Sequence, residues 1–318
     1  MLSSIITQPL NDYDRARTTG SRYGDMKELQ DAVQELSLTQ DKSFNIAIDK
    51  GNNTDQQMMK KAGRVMGEQV REQFVPYSDK YILKKWAAGA GKAIELTAAA
   101  TGNVLVKALL ALETHCNNKF VPVADRYVAI RNSDIELLRD ADKWQYTDNY
   151  TEKFLVNGDV TKFGTLKIFG MPDDWFPEKV HAVFFQSKAV LAPMKIKDLR
   201  IVNDSEMING DLLLGRFYFD AFVVGARCDG VAVIVDKGFK AATPVIANGG
   251  STTTVTSTTS GANIYVTTDG SDPRYSKSRV KYSSAITNLA KGEVMKAVAE
   301  KIDAGNIYTS DVAEYTFE

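Results

Sequence analysis

The sequence predicts an α+β fold that ends in a small all-β module. Three observations carry this. Residues 54–86 hold one long amphipathic helical pattern. Over residues 32–236 helices and strands follow one another without the regular alternation of a doubly wound sheet. From about residue 240 onward the pattern is strand and turn only.

Taken in order, residues 1–28 are polar and show no period. They carry Arg15, Arg17 and Arg22 and a Gly20/Gly24 pair. Such a segment is an extended arm, either disordered or ordered by a partner. Leu36, Leu38, Phe44, Ile46 and Ile48 then alternate with polar residues, with Gln40-Asp41-Lys42 as a turn candidate between the two runs. This predicts a two-stranded hairpin over 32–49, which needs a surface to lie on because an isolated hairpin is marginal in water.

The long helix follows. Thr54 can cap it, with Gln57 in the capping-box position. Met58, Met59, Ala62, Val65, Met66, Val70 and Phe74 form one apolar face, and Lys60, Lys61, Arg64, Glu68 and Arg71 populate the other. Pro76 should kink or end the helix. Tyr77, Tyr81, Ile82, Lys85 and Trp86 resume the spacing. If the two segments are continuous, about 30 residues at ~1.5 Å each make a rod of roughly 45–50 Å.

A second helix starts at Asn103 as cap, runs on Val104, Leu105, Ala108, Leu109, Leu112 and Cys116, and stops before Pro122. Residues 126–131 are a strand, and Ser133 with Glu136 is a capping box for a short helix through Asp140. Residues 141–163 show no clear period. Strands are predicted at 165–169, 180–185, 189–191, 196–201, 212–214, 217–224 and 231–235. The Ser/Thr run 251–260 has the composition of a linker, although Val255 among threonines also suits a strand. Strands at 264–268, 280–282, 294–299 and 313–317, with a turn at Asp269-Gly270, complete a small β-sandwich.

The 318 residues carry 39 Lys plus Arg against 40 Asp plus Glu, a net charge of −1. That balance argues against a strongly basic nucleic-acid-binding protein while leaving room for a locally positive face. The first ten residues have no signal-peptide pattern and no 18-residue apolar run occurs, so synthesis in a cytosol and no membrane span are expected. Cys116 and Cys228 are far apart in no metal spacing and read as reduced, buried thiols. His115 beside Cys116 is a poor nucleophile pair, because adjacent helical residues do not face each other. Gly89-Ala-Gly91-Lys92 fails the phosphate-loop pattern, with Trp86 and Ala93 at two required positions. Asp173-Asp174 and Asp140/Asp142 read as solvated loop carboxylates. No catalytic, cofactor or metal constellation assembles, so a structural role and no enzymatic activity are expected.

The order of arm, hairpin, long helix, central helix and strand-rich region resembles a tailed-phage major capsid protein of the Hong Kong 97 type. The similar segments are LSLTQDKSFNIAID at 36–49, EQFVPYSDKYILKKW at 72–86, NNKFVPVADRYVAI at 117–130, GTLKIFG at 164–170 and LLLGRFYFDAFVV at 212–224. The resemblance implies an N-terminal arm over 1–28 and a shell domain over 29–238. Within that domain it implies an extended E-loop at 29–52, a spine helix at 54–86, and axial and peripheral elements at 93–236. It further implies self-assembly into pentamers and hexamers around packaged double-stranded DNA, with scaffolding, portal and decoration proteins as partners. The implied location is the virion, assembled in the bacterial host cytoplasm. The candidate assembly residues are then Arg15, Arg17, Arg22, Leu36, Leu38, Phe44, Ile46, Lys60, Lys61, Arg64 and Arg71. No motif for the lysine–asparagine crosslink of some members is visible.

The tail is similar to the immunoglobulin/fibronectin-like module at the C-termini of chitobiases, on Thr268-Asp269-Gly270-Ser271-Asp272-Pro273. Asp269, Gly270, Asp272 and Pro273 carry the motif; Arg274 departs from the usual Thr, a difference expected to matter little. Residues 239–318 would then form a decoration domain on the outer surface, either a stabilising knob or a surface for weak glycan or cell contact. Two other readings stand: an encapsulin-like compartment shell, and a non-catalytic carbohydrate-binding accessory protein.

Overall fold

The computed structural model describes residues 2–5, 13, 15–16, 21–23, 31–34, 36–55, 61–141, 161–203, 208–236, 239–250, 252–274, 276–287, 292–303 and 306–317. Strands β1 (Leu2–Ile5), β2 (Asp31–Gln34) and β3 (Gln40–Asp49) precede helix α1 (Lys50–Asp55). The long helix comprises α2 (Ala62–Gln69), a π turn (Val70–Phe74) and α3 (Val75–Ala88). After β4 (Lys92–Glu95) come α4 (Gly102–Asn118), β5 (Arg126–Arg131) and α5 (Asn132–Arg139). The strand-rich region holds β6 (Thr161–Phe163), β7 (Leu166–Met171), β8 (Val180–Gln186), β9 (Val190–Leu191), β10 (Met194–Val202), β11 (Gly210–Phe219), β12 (Phe222–Val223) and β13 (Val231–Val235). The tail holds β14 (Val245–Asn248), β15 (Thr252–Thr256), β16 (Asn263–Thr267), β17 (Val280–Lys281), β18 (Ile286–Thr287), β19 (Val294–Asp303), β20 (Asn306–Thr309) and β21 (Ala313–Thr316).

A six-stranded mixed sheet, in the order β4-β13-β8-β5-β7-β6, is the centre of the main body. Its interior strand β13 reads Val-Ala-Val-Ile-Val and is buried along its whole length. A strand covered on both faces needs such an unbroken apolar run. On one face lie α4 and α5, through Leu105, Leu109, Leu112, Ile135 and Leu138 against Val128, Ile130, Phe184 and Ile234. On the other lies α3, through Leu83, Ala87 and Ala88 against Ala129, Val183, Val231 and Val233.

The front of the long helix packs elsewhere. Met66 shares a core with Ile48 and Leu213, flanked by Phe44, Ile46, Ala62 and Val65. Phe44, Ile46, Ile48 and Leu213 belong to a separate three-stranded antiparallel sheet, β10-β11-β3. The helix therefore ties two sheets together.

Several local expectations are corrected. Gln40-Asp41-Lys42 is not a turn: it lies within β3, which pairs antiparallel with β11 from Gln40↔Phe219 to Asp49↔Gly210. The long-range partner supplies a complete ladder of hydrogen bonds that a local hairpin would have had to make by itself. Thr54 does not cap the long helix, since it lies inside α1, and Lys61 occupies the cap position of α2. Gln57, Met58, Met59 and Lys60 lie outside the described residues. Pro76 does not end the helix. Backbone angles stay right-handed helical at Phe74 (φ −72, ψ −47) and Val75 (φ −60, ψ −51). Proline lacks an N–H and crowds the carbonyl four residues earlier, and the wider π turn falls at that point. Asn103 and Ser133 are inside α4 and α5, whose cap positions are Thr101 and Arg131. The Ser/Thr run forms β15, with Thr253 and Val255 buried and Thr252, Thr254 and Thr256 exposed.

The tail strands form two sheets over one core. β14-β15-β18 faces a five-stranded sheet in which β19 is flanked by β16 on one side and by β20 and β21 on the other. Val255, Val266, Met295, Ala297 and Phe317 lie between them.

Candidate assembly surfaces

Three places in the chain combine rigid support with surface position. The first is the junction of the long helix with the three-stranded sheet. Phe74, Tyr77 and Tyr81 recur at helical spacing and meet β11: Phe74 stacks on Phe217 with ring centroids 3.5 Å apart, and all three pack edge-on against Phe219. Gly215 leaves room for the Phe44 ring, which an added Cβ would meet at 2.3 Å. At the base of the sheet Asp220 is 2% exposed and fully satisfied. It accepts from Tyr81 (2.8 Å), from Thr39 N–H and hydroxyl (both 2.8 Å) and from Ala221 N–H (2.7 Å). Four donors on one buried carboxylate fix strand, helix and loop to a single geometry.

The candidate residues named from the sequence are placed as follows. Phe44 and Ile46 are half-buried beneath the helix. Leu36 and Leu38 are half-buried in the extended approach to β3, where the Leu38 carbonyl accepts from the Tyr218 hydroxyl at 3.0 Å. Lys61, Arg64 and Arg71 are exposed, and Arg64 pairs with Glu68 at 2.8 Å. Arg15 and Arg22 are exposed; Arg17 and Lys60 lie outside the described residues. The structure thus separates these residues into an apolar group inside the subunit and a basic group outside it.

The second place is the loop 119–125 between α4 and β5. Arg126 beneath it is 1% exposed. Its guanidinium donates to Pro122 O (3.0 Å), Val121 O (2.5 Å), Asn117 Oδ1 (2.9 Å) and Thr165 Oγ1 (2.8 Å). Burial of a charge is tolerated when it is hydrogen-bonded, and four bonds hold this guanidinium. Phe120 and Asp125 both take left-handed backbone angles, φ 51 and 56. Phe120 is 91% exposed and Val123 60% exposed.

The third is the contact between the tail and the main body. Arg274 bonds Asp272 through three donors, donates to Gly91 O at 3.3 Å and lies 3.6 Å from Asp229. Lys92 pairs with Asp311. Lys240 is buried with its ammonium donating to Ala90 O, and burial pushes its pKa down to about 8. Tyr308 of β20 sits in the core shared with Leu83, edge-on to Phe239 at 4.8 Å. Arg274, expected to matter little, is therefore a principal link between tail and body. Asp269 is held by Ser271 and Ser278, which keep its carboxyl below the usual range, and Gly270 has φ 74.

The remaining chemical candidates have structural partners. Asp173 accepts from Ser133 N–H (3.1 Å) and Asp174 pairs with Lys80 (3.0 Å). Gly91 donates its N–H to Cys228 O and Val231 O, and an added Cβ would lie 2.4 Å from Cys228 O; close backbone contact explains this glycine. Cys116 and Cys228 are buried and unpaired with each other, their thiols pushed up to about 11 by burial. Among the described residues no group of three or more His, Cys, Asp or Glu is placed to hold a metal ion, and no helix is long and apolar enough to cross a membrane.

No protein-family model matches the sequence, and no curated protein matches it. Solved structures do. A structure from Mycobacterium phage Che8 aligns with TM-score 0.56 and 16% identity over 73% of this chain and 82% of its own. The capsid of the cyanophage P-SCSP1u aligns with TM-score 0.53 and 16% identity over 74% and 82%. The mature capsid of bacteriophage PhiM1 aligns with TM-score 0.54 and 11% identity over 75% and 82%. The mixed α+β chain with one long helix and many strands has the fold of phage capsid proteins.

Proposed function

We propose that this chain is a major capsid protein that assembles into pentamers and hexamers of an icosahedral shell around packaged double-stranded DNA. The observation that carries the reading is the fold shared with phage capsid chains over about three-quarters of the sequence. In that reading 1–28 is the arm, 29–52 the E-loop, 54–86 the spine helix and 93–236 the axial and peripheral elements. Residues 239–318 form an immunoglobulin-like domain on the outside of the shell, available for weak glycan or cell-surface contact. The reading is supported by the way the long helix bridges two sheets, which makes the subunit stiff enough to tile. The exposed Lys61, Arg64 and Arg71 suit non-specific contact with neighbours or phosphates. Assembly in the host cytoplasm with scaffolding, portal and decoration proteins, and location in the virion, follow from it.

Sedimentation of the purified full chain tests this. Species far above the 35.1 kDa subunit, with nuclease-protected DNA when made during infection, are expected. A chain that stays monomeric at high concentration overturns the reading, and a protein cargo in place of DNA replaces it with a cellular compartment.

A further inference from the structure

His181 sits where three elements meet. Strand β8 pairs antiparallel with β13, and the register shifts between Ile234↔Ala182 and Val235↔Val180. His181 is therefore the extra residue of a bulge, a break in the ladder that re-aims a side chain. It is buried, with Nδ1 2.9 Å from Oδ2 of Asp134 in the first turn of α5, itself buried. Nε2 faces Asp236, the residue that follows β13, with Oδ1 3.3 Å away. That approach is not aligned as a hydrogen bond, and among the described residues the buried Nε2 has no hydrogen-bond partner. Asp236 is anchored by its backbone, whose N–H donates to Lys179 O at 2.9 Å, while its side chain is 48% exposed. Three residues on, Phe239 enters the core it shares with Tyr308 of the tail. Asp236 thus stands where the chain leaves the sheet for the tail.

A neutral imidazole offers one N–H and one lone pair, whereas the imidazolium offers an N–H on both nitrogens. Carboxylates facing both nitrogens are therefore served together only by the protonated ring. The two carboxylates are not equivalent. Asp134 is buried and needs its donor, so when one proton leaves, the other stays on Nδ1. Nε2 then turns a lone pair toward the Asp236 carboxylate, and the two repel. Asp236, half exposed, has water to turn to. Asp134 from α5 and Asp236 from the end of β13 are the charged groups that act on the ring. Of the cations on the flanking segments, Arg131 donates to Pro177 O and Lys179 is exposed. The hydrogen bond to Asp134 raises the imidazole pKa, burial opposes that, and Asp236 adds to the rise.

We propose that His181 is a proton-operated latch between α5 and the exit of the chain toward the tail. With both ring nitrogens protonated, it holds Asp134 on one side and Asp236 on the other. Loss of the Nε2 proton releases Asp236 to solvent and loosens the chain between β13 and Phe239. The bulge at His181 is what aims the ring at both carboxylates at once. The latch belongs to the single subunit and does not depend on the shell reading.

The chain has two histidines, so NMR of the imidazole nitrogens in the labelled full-length protein reads His181 directly, with His115→Gln assigning the other ring. Below the His181 transition both nitrogens should carry protons; above it, Nδ1 alone. Hydrogen exchange, corrected for intrinsic rates, gives the structural readout. Protection of residues 234–236 and 239–241 should fall roughly tenfold across the same transition, the effect of about one unit of pKa difference between latched and released states. Asp236→Asn distinguishes the latch from a merely structural histidine. Its amide can accept from Nε2–H or donate to a bare Nε2, so protection should stay at its low-pH level throughout, with unchanged circular dichroism. A proton retained on Nε2 above the transition overturns the latch. So does wild-type protection that is flat through the transition, or a step of the same size in Asp236→Asn.

Discussion

Arg126 illustrates how much structure one residue can hold. Its buried guanidinium satisfies two loop carbonyls, an amide oxygen and a hydroxyl. Arg126→Met keeps the volume but leaves those acceptors unpaired, so chemical denaturation should show a loss of about 3 kcal/mol. His181 makes a different prediction. Its Nδ1 lies 2.9 Å from Asp134 and its Nε2 lies 3.3 Å from Asp236. The hydrogen bond to Asp134 raises the imidazole above its ordinary 6.5, against the effect of burial. A raised folded value means the protonated ring is stabilised by folding. That contribution is complete below about pH 6.5 and is lost as pH rises through the folded value. Thermal unfolding should therefore show a fall in stability as pH rises above about 6.5 that His181→Gln reduces; an unchanged pH profile in the variant would argue against the ion pair.

At the scale of elements, the long helix matters through what it joins. Phe74 anchors its front half to β11, and removing that ring should cost about 2–3 kcal/mol in Phe74→Ala, measured by denaturant unfolding. The helix itself was legible in the sequence, because an apolar face at 3.6-residue spacing survives any tertiary context. So were β5, β8 and β13, whose β-branched runs match a buried sheet. The pairing of β3 was not legible. Alternation shows that residues 40–49 form a strand, but not that its partner lies some 170 residues later at Gly210–Phe219; a local turn at 40–42 suits the same pattern. The π turn was also hidden, since proline in a helix reads as a break unless a wider turn absorbs it. In the candidate sites, the aromatic helix residues were visible as a stripe. The Phe120 loop gave no period, and its meaning depends on the buried guanidinium beneath it. Arg274 looked like a neutral departure from a motif because its partners, Gly91 and Asp229, belong to the main body.

For the whole molecule, tail and body share buried groups. Lys240, Tyr308 and the Arg274–Asp272 pair lie against the sheet and α3. Truncation at 239 would uncover apolar surface around Leu83 and Phe239, so a tail acting as removable ornament is not expected. Arg274→Thr should destabilise the full chain by about 2–4 kcal/mol. It should also raise hydrogen exchange at residues 90–93 and 228–231; unchanged protection there would show that the tail docks by other contacts. The decisive measurement is electron microscopy of the purified full-length protein under assembly conditions. Closed shells built from pentamers and hexamers are predicted. Uniform monomers at high concentration would contradict the capsid assignment.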